Sequence, residues 1–370
     1  MQKNGITEYF EEVELESAYD GYLYSVPEAI TVVILGSICG LKNASQIQQW
    51  EVNERVSEFI REKFGIHQVP CFLCLLKLVK TESLNRCFAD WVYSFIPEKA
   101  EDLTIALDGK TICSTTKLDS FQRPLHIISA QVCELGLTLA QRGVDEKSNE
   151  IPAVQSLLKE LNIKGTMVVA DALNCQKETA EIIVEQKADY LLCVKDNQPN
   201  FKKDLEDFIQ DKCLQNTMES RAKTEKGHGR MEKRTAYVTN QIDWLEQKQE
   251  WKELRCIGAI HTEFTTKQGT SSQWHYYISS RNLTPEMLLH HARMEWAVES
   301  MHWLLDVHFE EDWCRVEDKA VQQNLNILRK AAINIIKLFK VRTGTNKAIS
   351  KIMLDCLLDL NILFSVVAQN

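Results

Sequence analysis

The chain has 370 residues, 44% of them hydrophobic, and its 43 Lys and Arg against 52 Asp and Glu give a formal net charge of −9. This composition excludes wholesale disorder, a collagen-like chain and a small disulfide scaffold. The acidic total also argues against DNA binding over the whole surface, because affinity for DNA comes from Lys and Arg that neutralise phosphates. The charge is uneven, however: residues 1–60 hold ten acids and three bases, whereas residues 319–354 hold eight bases and no acid. Binding of DNA by part of the surface therefore stays open.

Twelve cysteines are spread singly along the chain, which is typical of reduced core thiols in a cytosolic protein. Cys71 and Cys74 form a Cys-x-x-Cys, but no second pair follows at zinc-site spacing, so two buried thiols are the favoured interpretation. Residues 1–20 are acidic and lack the apolar segment of a signal peptide. We therefore expect a cytoplasmic protein without a membrane partner.

The N-terminal region, residues 1–100, is predicted to be helical. Its longest apolar run, residues 29–41, is too short to cross a bilayer and indicates a buried helix opened by Pro27. Ser45 and Gln48 have the spacing of a capping box, which predicts the start of the next helix.

Short apolar strands begin at residue 103. Residues 103–107 predict a strand that ends in a turn at Asp108-Gly109, and residues 124–132 and 136–141 predict a hairpin that turns at Gly136. Helices and buried strands then alternate, with helices predicted at 152–161, 176–186 and 199–212 and strands at 166–170 and 189–194. The resulting order, β-β-β-α-β-α-β-α, indicates an α/β domain.

The remainder of the chain is polar and strand-like at first and helical afterwards. Strands are predicted within residues 215–283. Thr284 as N-cap and Pro285 at the first helical position then predict a long amphipathic helix that runs past Asp306. Further helices are predicted over residues 320–368.

Two aspartates follow two of the predicted strands. Asp108 and Asp171 each stand at the carboxyl end of an apolar strand, where α/β sheets build their sites. One such aspartate would be an ordinary turn residue, but two favour a shared site. Because neighbouring carboxylates repel each other unless a cation lies between them, the pair indicates a divalent metal with hard oxygen ligands, Mg²⁺ or Mn²⁺.

The predicted helix after Thr284 adds further acidic groups. Glu295, Glu299, His302 and Asp306 share one helical face, for which a solvated polar surface is the better explanation from spacing alone. Glu299 and His302 also match half of a di-iron motif, but that motif needs a second copy in a four-helix bundle. If Glu299 joins the two aspartates, three carboxylates around two metal ions would support in-line phosphoryl transfer.

Eight segments of the chain carry a family resemblance. They are ALDGKT (106–111), HIISA (126–130), KSNEIPA (147–153), VVADALNCQ (168–176), DYLLCVKDNQ (189–198), EKGHGRMEKR (225–234), YYISS (276–280) and RMEWAVESMHWLLDVHFEED (293–312). Through them, over about residues 20–340, the chain resembles the DDE transposases of bacterial insertion sequences, in particular the ISAs-type branch that includes the H-repeat-associated proteins.

The resemblance implies an α/β fold whose RNase H-like core is a mixed sheet of five strands. It also implies that Asp108, Asp171 and Glu299 form a catalytic triad that binds two Mg²⁺ (or Mn²⁺) ions. The expected domains are an N-terminal helical region able to bind DNA ends (1–100), a catalytic domain (101–340) with a β-rich insertion (about 215–283), and a C-terminal helical tail (341–370).

The implied activity is that of an insertion-sequence transposase, which cleaves the ends of its element and joins the 3′-OH ends to target DNA. Its partners would be double-stranded DNA, as terminal inverted repeats and as target, and a second copy of the chain, because synapsis joins two ends. Such a protein would be cytoplasmic and associated with the nucleoid when bound to DNA. Two alternatives stay open: a non-catalytic or domesticated DNA-binding descendant, and a plain RNase H-like nuclease.

Several side chains at positions that match the family are expected to contact DNA. They are Lys110, Lys195, His228, Arg230, Arg234 and Arg293. The two lysines lie just beyond predicted strand ends, where an ordinary turn residue explains them equally well. His228 stands between two glycines in a stretch with six bases, residues 221–234, which indicates a loop that approaches DNA closely. Arg293 is also a candidate partner of Glu299.

Overall fold

The computed structural model of the protein describes residues 6–17, 25–67, 72–97, 103–117, 124–144, 150–227, 230–266 and 269–368. The strands in this part of the chain are β1 (Thr104–Thr111), β2 (His126–Val132), β3 (Leu137–Val144), β4 (Met167–Ala170), β5 (Asp189–Val194), β6 (Glu219–Gly227), β7 (Arg230–Thr239), β8 (Cys256–Thr266) and β9 (Gly269–Ser279).

The α-helices in the same ranges are α1 (Ile6–Tyr9), α2 (Val26–Ile38), α3 (Ala44–Glu51), α4 (Glu54–Phe64), α5 (Phe72–Leu78), α6 (Thr81–Tyr93), α7 (Glu150–Glu160), α8 (Lys177–Glu185), α9 (Pro199–Gln210), α10 (Lys212–Gln215), α11 (Pro285–Met294), α12 (Ala297–Phe309), α13 (Lys319–Thr343), α14 (Ile349–Leu358) and α15 (Leu360–Val367). Of these described helices, none combines the length and the apolar character needed to cross a bilayer.

The predicted apolar helix is α2, and it is buried along most of its length. Its first turn is closed by a capping box, in which Ser25 Oγ accepts from Glu28 N at 3.3 Å and Glu28 Oε2 accepts from Ser25 N at 2.8 Å. The capping box predicted for α3 is wrong. Ser45 lies inside the first turn of α3, and the N-cap is Asn43, whose Oδ1 accepts from Gln46 N at 3.0 Å.

All the described strands belong to one sheet, with the order β3-β2-β1-β4-β5-β9-β8-β7-β6. The antiparallel hairpin β2–β3 turns at Gly136 (φ +65°) as predicted, and β1 pairs antiparallel with β2 but parallel with β4. The five strands predicted as a core sheet therefore form only one part of a nine-stranded sheet. Strand β9 pairs antiparallel with β5, so the strands of the polar region extend the same sheet.

The outer edge of β3 is covered by side-chain amides from two helices. Asn334 on α13 accepts from Thr138 N at 3.0 Å and donates to Thr138 O at 2.8 Å, as a neighbouring strand would. Asn85 on α6 accepts from Gln141 N at 2.8 Å. An open strand edge can pair with another chain, and these amides occupy backbone groups that β3 would otherwise offer for such pairing.

One hydrophobic core joins the N-terminal helices to the sheet. Its central element is α13, which packs against α2, α5, α6 and β3. This helix begins at Asp318, whose Oδ1 accepts from Val321 N at 3.1 Å, and ends at Gly344 in the left-handed conformation (φ +65°). It thus continues past residue 340, where the C-terminal tail is expected to begin. The domain boundaries themselves stay predictions.

The acid-free segment, residues 319–354, does not form a continuous basic surface. Arg329 and Lys330 are 4% and 1% exposed, because the apolar face of α13 includes their positions. The Lys330 ammonium donates to Ser129 Oγ at 2.8 Å and to Gln141 Oε1 at 2.6 Å. Two of the eight positive charges are therefore withdrawn from any ligand at the surface.

The cysteines of the described ranges are reduced thiols, as predicted. Six of them are buried: Cys39, Cys87, Cys175, Cys193, Cys256 and Cys356. The prediction of a buried thiol is wrong for Cys74, which is exposed, and Cys71 lies outside the described residues.

Candidate active site

Asp108 lies within β1, so the turn predicted at this position is wrong. Strand β1 continues to Thr111 because β2 pairs with it over this whole length. The parallel ladder between β1 and β4, in contrast, ends with Leu107 opposite Ala170. The next residue on each side is an aspartate: Asp108, which is still within β1, and Asp171, which directly follows β4. The structure therefore brings the two aspartates together at one sheet edge, as the sequence predicts.

Asp171 starts a short 3₁₀ turn, Ala172–Asn174. Its Oδ1 accepts from the backbone N of Asn174 at 3.2 Å and from Asn174 Nδ2 at 2.9 Å. Both hydrogen bonds restrict the rotation of the Asp171 side chain, and they leave the carboxylate anchored on one oxygen.

The helix predicted to run past Asp306 is two helices, α11 and α12, which are separated by a turn at Glu295 and Trp296 although both residues keep right-handed helical backbone angles. The predicted N-cap is confirmed, since Thr284 Oγ1 accepts from Met287 N at 3.2 Å. Helix α12 packs against β1 and β2. Its buried side chains are Val298, Met301, Leu305 and Phe309. Glu299, in the first turn of α12, is exposed.

The carboxylates at this edge interact unfavourably. Burial raises the pKa of Asp108 to about 6, and the negative charges of Asp171, Glu150 and Glu299 add to the rise. Burial likewise raises the pKa of Glu295 to about 7, and the negative charges of Asp171, Asp108 and Glu299 add to this rise. A cation at this edge would relieve the repulsion. As placed, however, no three His, Cys, Asp or Glu side chains of the described ranges are close enough to enclose a metal ion.

His302 connects α12 to Asp108. Its Nδ1 lies 3.5 Å from Asp108 Oδ2. Burial, followed by the positive charges of Lys330 and Lys110, lowers the pKa of His302 to about 3, so the ring is neutral at physiological pH. Among the described groups, its Nε2 has no hydrogen-bond partner. A neutral ring that faces Asp108 through Nδ1 can orient the carboxylate without competing for a cation.

Lys110 is engaged within the protein. Its ammonium pairs with Asp306 on α12 and lies 3.4 Å from Glu311 Oε2 and 3.6 Å from Asp312 Oδ1. The side chain is only 15% exposed. These ion pairs tie the end of β1 to the end of α12, and the predicted contact with DNA would compete with three carboxylates.

Arg234, Arg293 and Arg221 line a cavity of about 410 Å³ between α11 and the β6–β7 hairpin. Arg293 Nη1 donates to both carboxylate oxygens of Glu225 at 2.7 Å, and Arg234 Nη2 lies 2.5 Å from Glu232 Oε1. The hydrogen bond from Arg293, followed by that from Lys223, lowers the pKa of Glu225 to about 2. The cavity wall therefore carries both signs of charge.

The other predicted DNA contacts are placed less fully. Lys195 is exposed just beyond β5, and its positive charge opposes the rise in the pKa of Glu295. His228 lies outside the described residues, and Arg230 is described by its backbone at the start of β7.

Residues 101–335 match the family described as "Transposase DDE domain", and this match covers more than half of the chain. The chain belongs to the DDE transposase family. The transposase is 32% identical over 348 residues to the "H repeat-associated putative transposase YhhI" of Escherichia coli K12, covering 90% of this chain and 91% of that protein. It is 34% identical over 289 residues to the "Putative protein YbfL" of the same organism, covering 76% of each chain. The predicted resemblance to ISAs-type, H-repeat-associated transposases is confirmed.

Among solved structures, the transposase is similar to a chain in "Cryo-EM structure of piggyBac transposase synaptic complex with hairpin DNA (SNHP)". The TM-score is 0.47 at 10% identity, with 95% of this chain and 74% of the other covered. This overlap is too loose for element-by-element comparison.

A series of buried, hydrogen-bonded polar side chains lies behind Asp171, and the spacing of residues in the transposase sequence does not predict it. Glu150 Oε2 lies 3.1 Å from His126 Nε2, and Glu150 Oε1 accepts from Asn174 Nδ2 at 3.1 Å. The three family segments HIISA, KSNEIPA and VVADALNCQ contain one of these residues each. Nothing local marks them, however, because the partners are 24 residues apart and become neighbours only in the folded sheet.

Proposed function

We propose that this transposase cleaves the ends of an insertion sequence and joins the freed 3′-OH ends to target DNA by metal-dependent phosphoryl transfer, with Asp108, Asp171 and Glu299 as its catalytic triad. The observation that carries the proposal is that both aspartates directly follow the last residue pair of the parallel ladder between β1 and β4. Helix α12 packs on β1, and the charge of its Glu299 acts on Asp108.

The strand order supports an RNase H-like core within the larger sheet. In the order β3-β2-β1-β4-β5, the first three strands are antiparallel, and β4 and β5 run parallel to β1. The strands β6 to β9 would then be the β-rich insertion between Asp171 and Glu299. We propose that the catalytic domain spans residues 101–340 and that the helices before it contact DNA ends.

The donor set fits Mg²⁺ or Mn²⁺, since it consists of carboxylate oxygens whose mutual repulsion a divalent ion would relieve. Asp108, Asp171 and Glu299 would hold the ions, with Glu295 close enough to act on the same charges. Two bound ions supply activation of the attacking oxygen and stabilisation of the departing one.

The remaining residues of the site would bind DNA phosphates or orient the Asp108 carboxylate. His302 faces Asp108 as a neutral ring and restricts the directions open to that carboxylate. Lys195, exposed beside Glu295, offers a cation for a phosphate near the site. Arg234 and Arg293 would contact the DNA backbone from the insertion and α11, after exchanging their carboxylate partners for phosphates.

We propose that the DNA is double-stranded, comprising terminal inverted repeats and target, and that two copies of the chain act together because two ends must be synapsed. Such a protein would act in the cytoplasm, on the nucleoid.

The test is cleavage of DNA that carries the flanking inverted repeats, with Mg²⁺, by the parent and by Asp108→Asn, Asp171→Asn and Glu299→Gln. Each of these changes is expected to abolish cleavage while DNA binding persists. Glu181→Gln, an exposed carboxylate on α8, is the matched control and should cleave like the parent. Equal cleavage by all variants would refute the catalytic assignment.

A second arm separates transposase from nuclease. An oligonucleotide with a free 3′-OH end is offered to the parent together with target DNA, and joined products are expected. Cleavage without joined products would favour the plain nuclease. Binding of the repeats without Mg²⁺-dependent cleavage by the parent would favour a non-catalytic descendant.

A further inference from the structure

We propose that His126, Glu150 and Asn174 are positioning residues, which together hold Asp171 and the β1 segment that carries Asp108 in the arrangement that binds metal. This inference rests on the proposed function. Hydrogen bonds, burial and a close contact at a glycine, all behind the aspartates, support it.

The three side chains form a continuous hydrogen-bonded path from Asp171, which follows β4, to strand β1. Asn174 Nδ2 has two hydrogens, and it donates to Asp171 Oδ1 at 2.9 Å and to Glu150 Oε1 at 3.1 Å. The other Glu150 oxygen lies 3.1 Å from His126 Nε2, and His126 Nδ1 lies 2.9 Å from Thr111 Oγ1 on β1. The path therefore starts at a catalytic carboxylate and ends on the strand of the other.

Gly109 shows how tightly this path lies against β1. A Cβ atom at Gly109 would stand 2.3 Å from His126 Nε2 and 3.1 Å from Glu150 Oε2. Real Cβ atoms do not approach other atoms at 2.3 Å, so only glycine leaves room for the imidazole here. The His126 ring and the Glu150 carboxylate thus lie directly against the backbone next to Asp108.

Burial makes the arrangement costly unless the hydrogen bonds are kept. His126, Glu150 and Asn174 are 2%, 3% and 0% exposed. A buried polar group that loses its partner costs about 1–3 kcal/mol, so each member holds the next in one orientation. Residues that hold a metal-binding carboxylate in this way typically change metal affinity when they are replaced.

The glutamine variant offers a specific check on the path. With a neutral ring, His126 Nε2–H donates to Glu150, and Nδ1 accepts from the Thr111 hydroxyl. In Glu150→Gln the amide can donate to Nε2 instead, the ring then donates from Nδ1 to Thr111, and the glutamine oxygen still accepts from Asn174. Every hydrogen bond survives with the opposite tautomer of His126.

The experiment measures Mn²⁺ affinity by electron paramagnetic resonance of the free ion, with the full-length protein and a repeat-end duplex. Glu150→Ala and Asn174→Ala are expected to weaken Mn²⁺ binding by about 10-fold or more. Glu150→Gln is expected to stay near the parent, while ¹⁵N NMR of the imidazole shows the tautomer exchanged. Glu160→Gln, on the exposed end of the same helix α7, is the matched control.

A folded Glu150→Ala variant that binds Mn²⁺ like the parent would overturn the proposal. If that variant does not fold, parental affinity in Asn174→Ala, or unchanged His126 resonances in Glu150→Gln, overturns it instead. Asp108→Asn and Asp171→Asn separate this failure from that of the proposed function. If both leave Mn²⁺ binding intact, the triad is wrong; if they abolish it while the alanine variants do not, only the positioning role fails.

Discussion

Replacing the buried Lys330 by methionine is expected to change how stability depends on pH. Burial lowers the pKa of the Lys330 ammonium from 10.5 to about 7, with Glu311 opposing this effect and Lys110 adding to it. Unfolding returns the side chain to water and to its ordinary pKa. Between about pH 7 and pH 10.5, the unfolded chain therefore binds one proton more at this site, and the free energy of unfolding rises with pH.

The magnitude follows from the size of the change. A pKa lowered from 10.5 to about 7 corresponds to a cost of about 5 kcal/mol for the charged folded form. Methionine removes this cost but leaves Ser129 Oγ and Gln141 Oε1 without their donor, at about 1–3 kcal/mol each. Parent and Lys330→Met should thus have comparable stability near pH 6.5. Above about pH 7.5 the parent should gain about 1.4 kcal/mol over the variant per pH unit.

The assay is equilibrium urea unfolding at several pH values from about 6.5 to 8.5, with the stability difference between parent and variant plotted against pH. Titrations common to both proteins cancel in this difference. Lys351→Met, on the exposed face of α14, serves as control and should follow the parent at every pH. A difference for Lys330→Met that stays flat over this range would refute the reasoning.

Three other changes have defined outcomes. Gly109→Ala should destabilise the fold by about 1–3 kcal/mol, because the added Cβ would clash with His126. His126→Ala in the same chain should recover part of this loss, and additive losses in thermal unfolding would contradict the contact. Asn334→Ala removes both hydrogen bonds to Thr138 and should lower the free energy of unfolding in urea by about 1–3 kcal/mol. The variant should also aggregate at a lower temperature on heating. Stability and aggregation like those of the parent would show that the β3 edge needs no cover. Arg293→Ala should weaken DNA binding and reduce the slope of log affinity against log salt by about one, and an unchanged slope would remove it from the interface.

The aspartate pair was predictable because each member follows a short apolar run. Such runs are buried strands, and the carboxyl ends of two parallel strands meet at one edge of a sheet. The turn predicted after Leu107 was wrong for a related reason. The dipeptide Asp108-Gly109 has the local chemistry of a turn, but the pairing of β1 with β2 continues through it to Thr111. Pairing partners distant in sequence are invisible to local rules.

Continuity in space was equally hard to predict. The break between α11 and α12 at Glu295 and Trp296 has no Gly or Pro to mark it. Burial of Lys330 follows from the packing of α13 against the sheet, which a count of charges along the segment cannot register. The path from His126 through Glu150 to Asn174 depends on three separate elements meeting behind the aspartates.

The pairing of β5 with β9 makes the nine strands one continuous sheet of fixed width. Four strand spacings separate β5 from β6, which at about 4.8 Å each is roughly 19 Å across the ladder. One turn of B-form DNA is about 34 Å, so this span is a little over half a turn, or about 5–6 base pairs. Backbone hydrogen bonds, rather than a hinge, set this distance from β5 to the outer strand β6. Adding or deleting a hairpin would therefore change this width in steps of about 10 Å and leave the pairing of β1, β4 and β5 unchanged.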